Sequence, residues 1–143
     1  METRKQAHVV YRCEYHIVLT TRYRRKIFVK GVKSWLKIKL LELRKFYPDI
    51  EYMEINIQPE HVHLVMCIPP KYSVGSVIRI IKTNTAKTMR ERFDFLRYVF
   101  YGHGGIWSVG YFASTIGLDE DKIMAYVRYQ EREDFGQAKL ELR

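Results

Sequence analysis

The order of strand-like and helix-like segments predicts an α+β fold, a ferredoxin-like (RRM-like) α/β sandwich whose antiparallel sheet carries helices on one face. Three observations support this class. Short runs rich in β-branched and aromatic residues are separated by turns, two longer segments place apolar residues at helical spacing, and a C-terminal tyrosine-bearing helix follows the last strand-like run. No linker-like or repetitive segment divides the 143 residues, so we expect one domain spanning 1–143.

The first half of the chain reads as a strand, a helix and a hairpin. Residues 9–21 are rich in β-branched and aromatic side chains, which predicts a strand. Residues 35–46 place apolar side chains at helical spacing, and Pro48 ends that helix. Residues 51–57 and 61–66 are two further strand-like runs on either side of a proline-containing turn, and they predict a β-hairpin.

A second long helix is predicted from Ser73 to about Phe93. Ser73 is a favourable N-cap, because its hydroxyl can accept a backbone N–H of the first turn. The apolar residues of this segment fall on one helical face, and we expect Arg79, Lys82 and Lys87 to face solvent on the other. A basic outer helix of this kind can lie along a phosphate backbone.

The last third of the chain adds a glycine-rich irregular stretch at 102–105, a strand at 111–116 and a final helix. Acidic residues at 119–121 favour the start of that helix. We place the helix at 119–133 and expect 134–143 to be a tail. The element order β-α-β-β-α-β-α completes the predicted sandwich.

Two histidines lie in the strand that follows the proline turn. His61 and His63 are separated by one apolar residue, and side chains alternate between the two faces of a strand, so both imidazoles point the same way. Two imidazoles on one face can bind one divalent cation. A pair of this kind can also be structural or simply exposed, so a metal site needs further ligands from elsewhere in the chain.

The chain is basic, with a formal net charge of +9 and a pI near 9.6. Four of its cations, Arg22, Arg24, Arg25 and Lys26, cluster directly after the first predicted strand. Clustered charge favours a polyanionic partner, and nucleic acid is the leading candidate. The alternative is a solvated basic face that only keeps the protein soluble.

Cysteine content and hydropathy exclude two protein classes. Only Cys13 and Cys67 are present, so neither a disulfide scaffold nor a four-cysteine zinc site can be built. The N-terminus is polar, and no uninterrupted apolar stretch approaches the roughly 18 residues that a membrane span requires. We therefore expect a cytoplasmic protein that does not contact a membrane.

The histidine strand is followed, near the C-terminus, by a helical Tyr-x-x-x-Gln motif at Tyr126 and Gln130. Together the two motifs resemble the single-tyrosine HUH transposases of the insertion sequence 200/605 type. Residues 15–26 resemble that family's first strand and basic turn, 69–74 its loop after the histidines, and 107–117 its last strand. The matching segments follow the family's order and spacing through most of the chain.

This resemblance implies a single HUH transposase domain that cleaves and rejoins DNA through a 5′-phosphotyrosine intermediate with bound Mg²⁺ or Mn²⁺. It implies that Tyr126 is the nucleophile and that His61, His63 and Gln130 are the metal ligands. Tyr129 is a competing nucleophile on much of the same helix face, where the family usually has a small polar residue.

The resemblance also implies the partners of the protein. Its substrate would be single-stranded DNA with imperfect hairpins near the element ends, and the protein would be an obligate homodimer with the tyrosine helix of one subunit completing the metal site of the other. The basic side chains that we expect to follow the DNA phosphates are Arg22, Arg24, Arg25, Lys26, Arg79, Lys82 and Lys87.

Two other functions stay open at this point. The same fold can serve as a non-catalytic module that binds single-stranded nucleic acid. Alternatively, the protein is structural, its histidines are packing residues and its charge is only solubilising. Metal binding separates the structural protein from the other two, and covalent capture of DNA separates the enzyme from the binding module.

Overall fold

An antiparallel sheet organises the part of the chain that the computed structural model describes, which comprises residues 3–6, 9–11, 13–99, 105–115, 117 and 119–141. The strands are β1 (Arg4–Gln6), β2 (Val9–Tyr11), β3 (Glu14–Thr20), β4 (Glu51–Ile57), β5 (His61–Cys67) and β6 (Phe112–Ser114). The helices are α1 (Lys30–Phe46), α2 (Val74–Arg92), α3 (Phe95–Val99) and α4 (Glu120–Glu141), and a 3-10 turn covers Arg22–Arg24. Most of the predicted glycine-rich stretch and Ile116 lie outside these described residues.

The central sheet has four strands in the spatial order β4-β5-β3-β6, and every neighbouring pair is antiparallel. The predicted hairpin is confirmed, since β4 pairs directly with β5. The prediction of one strand over 9–21 was wrong in part, because β2 separates from β3 and pairs with β1 in its own two-stranded sheet. The polar sequence of β1 gives no strand signal, so this short hairpin was missed.

One face of the central sheet carries the main hydrophobic core. Ile17 and Leu19 of β3 and Leu64 of β5 point into it and are fully buried against α1 and α2. Burying an aliphatic side chain of this size contributes roughly 1.5–3 kcal/mol, so this layer supplies most of the stability. In α1 the buried stripe is narrower than predicted, since Phe46 at its end is 79% exposed. The side chains that α1 buries are Val32, Leu36, Leu40 and Leu43.

Helix α2 begins and ends where its sequence predicts. The Ser73 hydroxyl accepts the Ser76 backbone N–H at 3.1 Å, which confirms the N-cap, and Phe93 is the C-cap residue. Its buried side chains are Val77, Ile78, Ile81, Thr85 and Met89. The helix therefore closes the core beside α1 and keeps its polar face outward for most of its length.

Helix α4 packs on the opposite face of the sheet. Asp119 caps its start, with Oδ1 accepting the Lys122 N–H at 2.8 Å. The helix continues to Glu141, so the prediction of an end at residue 133 was wrong. The side chain of Asp134 is buried, and most of the residues after it are good helix formers. The sheet with helices on one face and α4 on the other confirms the predicted α+β class.

In the part of the chain that the structure describes, no helix is both long and apolar enough to cross a membrane.

Candidate active site

The two histidines of β5 share the sheet face that α4 covers. In the strand register, His61 lies opposite Thr20 and His63 lies opposite Val18. Val18 packs against α4, whereas the neighbours of the histidines along β5, such as Val62, point into the main core. The predicted common orientation of the two imidazoles is therefore present.

His61 is oriented by a buried carboxylate. Its Nδ1 lies 2.7 Å from Oε1 of Glu60, and the two residues are only 3% and 8% exposed. A carboxylate at Nδ1 favours the tautomer that carries a proton there, which leaves Nε2 with a lone pair. Metal-binding histidines commonly use this arrangement, because the carboxylate fixes the ring and raises its basicity as a ligand.

His63 also carries a nitrogen that is available to a ligand. Its Nε2 is buried and has no hydrogen-bond partner among the described residues. Burial lowers the pKa of His63, and the nearby His16 and His61 lower it further, although Glu54 acts in the opposite direction. A neutral imidazole with a buried, unpaired nitrogen is what a divalent cation requires.

The ring of His16 stacks on the ring of His63, with 5.7 Å between the ring centroids. From the sequence, the role of His16 was left open between support for the metal ligands and contact with DNA. Within the described residues, no group of three or more His, Cys, Asp or Glu side chains converges as a metal site would require. A cation at His61 and His63 would therefore depend on amide, substrate or water oxygens for its other ligands.

Tyr126 lies against the histidine-bearing face. Its side chain packs on the cluster of Val18, Ile123 and Val127, and its ring centroid is 5.5 Å from that of Phe112. Burial raises the pKa of Tyr126 to about 12, with Asp134 and Tyr129 adding to the shift. Tyr129 is 50% exposed, whereas Tyr126 is partly buried.

Gln130 lies four residues after Tyr126 and is 6% exposed. Its Nε2 donates a hydrogen bond to the Val109 carbonyl at 2.6 Å, so the structure joins Gln130 to the segment before β6 rather than to either histidine. This bond assigns the nitrogen end of the amide to Val109 and leaves the oxygen end for another partner.

A polar network that sequence reasoning missed holds the second half of α4. Oδ2 of Asp134 accepts the Tyr23 N–H at 2.9 Å and lies 2.5 Å from the Ser108 hydroxyl. Arg24 forms an ion pair with Glu131 at 3.1 Å. The available signal was the spacing of Asp134, four residues after Gln130 and so one turn further along the same face.

The predicted DNA-binding residues separate into two groups. Exposed members are Arg25, Lys26, Arg79 and Lys87. Arg22 is only 7% exposed, so its side chain is not on the surface with the other predicted phosphate contacts. Arg24 is partly buried because it is paired with Glu131. The 3-10 turn therefore packs against α4 and also contributes positive charge to the surface.

The helical position of Lys82 predicted a side chain that faces solvent, and the structure shows instead that its ammonium group contacts a loop. Its Nζ donates to the Ser108 carbonyl at 2.8 Å and to the Gly110 carbonyl. Burial lowers the pKa of Lys82 to about 8, against an opposing effect of Asp134. The long side chain reaches back from α2 to a distant loop, a tertiary contact that helical periodicity does not reveal.

Comparison with known proteins gives one consistent family. The family model described as "Transposase IS200 like" matches residues 9–130. The transposase for insertion sequence element IS200 of Salmonella typhimurium is 33% identical over 132 residues, which cover 90% of this chain and 83% of that protein.

Solved structures agree with this assignment. A crystal structure from Deinococcus radiodurans R1, described as a transposase, has a TM-score of 0.79 at 26% identity and covers 89% of this chain and 97% of its own. The REP-associated tyrosine transposase bound to a REP hairpin shares the fold, with a TM-score of 0.56 at 18% identity over 90% of this chain and 70% of that one. From the match over most of its length, the chain belongs to the IS200-like transposase family.

Proposed function

We propose that this transposase cleaves and rejoins single-stranded DNA at the ends of an insertion element through a 5′-phosphotyrosine on Tyr126. The observation that carries the proposal is the position of Tyr126 on α4. Its side chain packs on the cluster formed by Val18, Ile123 and Val127, and Val18 lies directly opposite His63 in the sheet. The nucleophile and the histidine pair thus share one face, as a phosphodiester bound between them requires.

The proposal includes a site for Mg²⁺ or Mn²⁺ formed by His61, His63 and Gln130. It is supported by the carboxylate of Glu60 on His61, by the unpaired Nε2 of His63 and by the oxygen end of the Gln130 amide. A divalent cation bound there supplies charge neutralisation at a phosphate oxygen and at the departing 3′ oxygen. Imidazole and amide ligands with positions left for substrate and water suit both ions.

Tyr126 enters the reaction as a phenol, because the ordinary tyrosine pKa near 10 is already above neutral pH and burial raises the pKa of Tyr126 further. As its Oη forms a bond to phosphorus, the phenol proton leaves, the bond from phosphorus to O3′ breaks, and the 3′ oxygen takes up a proton. The phosphotyrosine keeps the phosphodiester available, so an incoming 3′-hydroxyl can reverse the step. Rejoining then needs no separate energy source.

Exposed basic side chains support a DNA partner. Arg25 and Lys26 follow the 3-10 turn, and Arg79 and Lys87 lie on the outer face of α2. The REP-associated relative is bound to a hairpin, which supports hairpin-bearing single strands as the substrate class here. A homodimer that shares the tyrosine helix between subunits is part of the same proposal. Cytoplasmic location stays a prediction.

A denaturing gel tests the reaction. Wild-type protein is incubated with Mn²⁺ and labelled single strands from both flanks of the gene, alongside Tyr126→Phe and Tyr129→Phe. We expect a covalent protein–DNA band that only Tyr126→Phe abolishes. Tyr129→Phe is the matched control, since it removes the same hydroxyl from a residue on the same helix.

Two results would contradict the proposal. Loss of the band only in Tyr129→Phe would move the nucleophile by one helical turn. Tight binding of a flank without any covalent band would favour the non-catalytic binding module.

A further inference from the structure

The segment from Ser108 to Gly110 lies between Lys82 on one side and Gln130 on the other. The carbonyls of Ser108 and Gly110 both accept hydrogen bonds from Lys82 Nζ. The carbonyl between them, on Val109, accepts from Gln130 Nε2 at 2.6 Å. Because the carbonyls on either side of Val109 are both bound to Lys82, one cation on α2 restrains the backbone that presents the Val109 carbonyl to α4.

The two ends of this segment are held differently. At its start, the Ser108 N–H donates to the Thr20 carbonyl at 2.9 Å, which ties it to the sheet. Further along, the Val109 side chain is 57% exposed and cannot anchor the backbone by packing. Gly110 has a φ of +89°, a conformation that residues with a side chain rarely adopt. Ser108 is also held through its hydroxyl, which contacts the Thr21 carbonyl and Asp134, and Lys82 is the described side chain that restrains the carbonyls on either side of Val109.

We propose that Lys82 is a positioning residue for Gln130, acting through the Val109 carbonyl, rather than a contact to DNA. This inference rests on the proposed function, in which Gln130 is a metal ligand. An amide presents either its oxygen or its NH₂ group, and only the oxygen can bind a cation. By holding the Val109 carbonyl against Nε2, Lys82 keeps the oxygen of Gln130 turned toward the site.

A positive charge suits this task because it donates strongly to two carbonyls at once. The same geometry explains why Lys82 is poorly placed to bind phosphate, since its ammonium group is half-buried and already engaged. Lys87 offers the contrast. It lies on the same helix and is exposed, so it remains available to a phosphate.

The test compares Lys82→Met with Lys87→Met in the full-length protein, using three measurements. The first is the side-chain amide signal of Gln130 in a ¹⁵N spectrum without metal or DNA, assigned by its loss in Gln130→Glu. The second is Mn²⁺ affinity by calorimetry. The third is affinity for a labelled hairpin-bearing strand without metal.

We expect Lys82→Met to shift the Gln130 amide signal and to weaken Mn²⁺ binding about tenfold, the lower end of the ~10–100-fold cost of losing a group that orients a ligand. Its DNA affinity should match the wild type. Lys87→Met should show the reverse pattern, with weaker DNA binding, an unchanged amide signal and unchanged Mn²⁺ affinity. Lys82→Arg should restore Mn²⁺ binding, because a guanidinium also carries several donors.

A second variant tests the same link if Lys82→Met does not fold. Gly110→Ala opposes the positive φ, and its added Cβ would meet no atom within 4 Å, so it disturbs the segment through its backbone alone. It should shift the same Gln130 signal while leaving Lys82 in place. An unchanged Gln130 signal in both variants would overturn the inference.

Weaker DNA binding in Lys82→Met, with an unchanged amide signal, would likewise overturn the inference and return Lys82 to the DNA surface. If the wild type binds no Mn²⁺, the proposed metal site fails, whereas the amide signal still decides whether Lys82 holds the segment.

Discussion

Replacing Asp134 by alanine should loosen the second half of α4. Its carboxylate is 1% exposed and accepts from the Tyr23 N–H and the Ser108 hydroxyl. Hydrogen bonds to a charged group contribute about 1.5–3 kcal/mol each, and the relieved cost of burying the carboxylate offsets part of that sum. We therefore expect Asp134→Ala to lower the free energy of unfolding by about 2–3 kcal/mol.

Urea unfolding measures this loss, and amide hydrogen exchange locates it. Exchange should accelerate in α4 more than in α1, because the apolar cluster that joins the described part of α4 to the sheet is small. Glu133→Ala is the matched control, since Glu133 is the exposed neighbouring acid on the same helix and its loss should change stability by less than about 0.5 kcal/mol. Equal effects of the two substitutions would refute the assigned role of Asp134.

Three further predictions concern the nucleophile, the histidines and the basic surface. The Tyr126 pKa is raised to about 12 from a usual value near 10, so its contribution to stability is complete below pH 10 and is lost as the pH rises toward 12. In urea unfolding across that pH interval, the free energy of unfolding should fall less in Tyr126→Phe than in the wild type. An equal fall in the two proteins would contradict the raised pKa. Glu60→Gln should weaken Mn²⁺ binding by roughly 10–100-fold in calorimetry while the protein stays folded, because His61 loses its orienting carboxylate; an unchanged affinity would exclude that role. Arg25→Ala and Lys26→Ala should each make the negative slope of log affinity against log salt for single-stranded DNA shallower by about 0.7, measured by fluorescence anisotropy. A slope equal to that of the wild type would show that the residue does not contact the DNA.

Several local features of the fold could be predicted because their causes lie within a few residues. The alternation around His61 and His63 required both imidazoles to share a face, and the register confirms it. The Ser73 cap was predictable for the same reason, since its partner is only three residues away. The assignments of Tyr126 as nucleophile and of the histidines as metal ligands stay predictions.

Contacts between distant segments explain what was missed. Lys82 looked solvent-facing because helical periodicity reports only the helix itself, whereas its partner carbonyls lie 26 and 28 residues away. The length of α4 was underestimated because Asp134 finds its partners on Tyr23 and Ser108, far from it in sequence. Local pattern therefore located the two histidines and the Tyr126–Gln130 motif but not the long-range polar contacts around them.

The histidines lie on β5, a strand that is paired along almost its whole length on both sides. This position affects how metal binding would change the stability of the protein. All seven residues of β5 pair with β3, and most also pair with β4 on the other side. Amides in such a strand exchange only when the whole domain unfolds, so the spacing of the two imidazoles does not depend on local opening. A cation that bound them would consequently raise the global unfolding free energy directly, by RT ln(1 + [metal]/Kd). Thermal stability measured across a metal titration would then report occupancy of the site in the absence of any DNA.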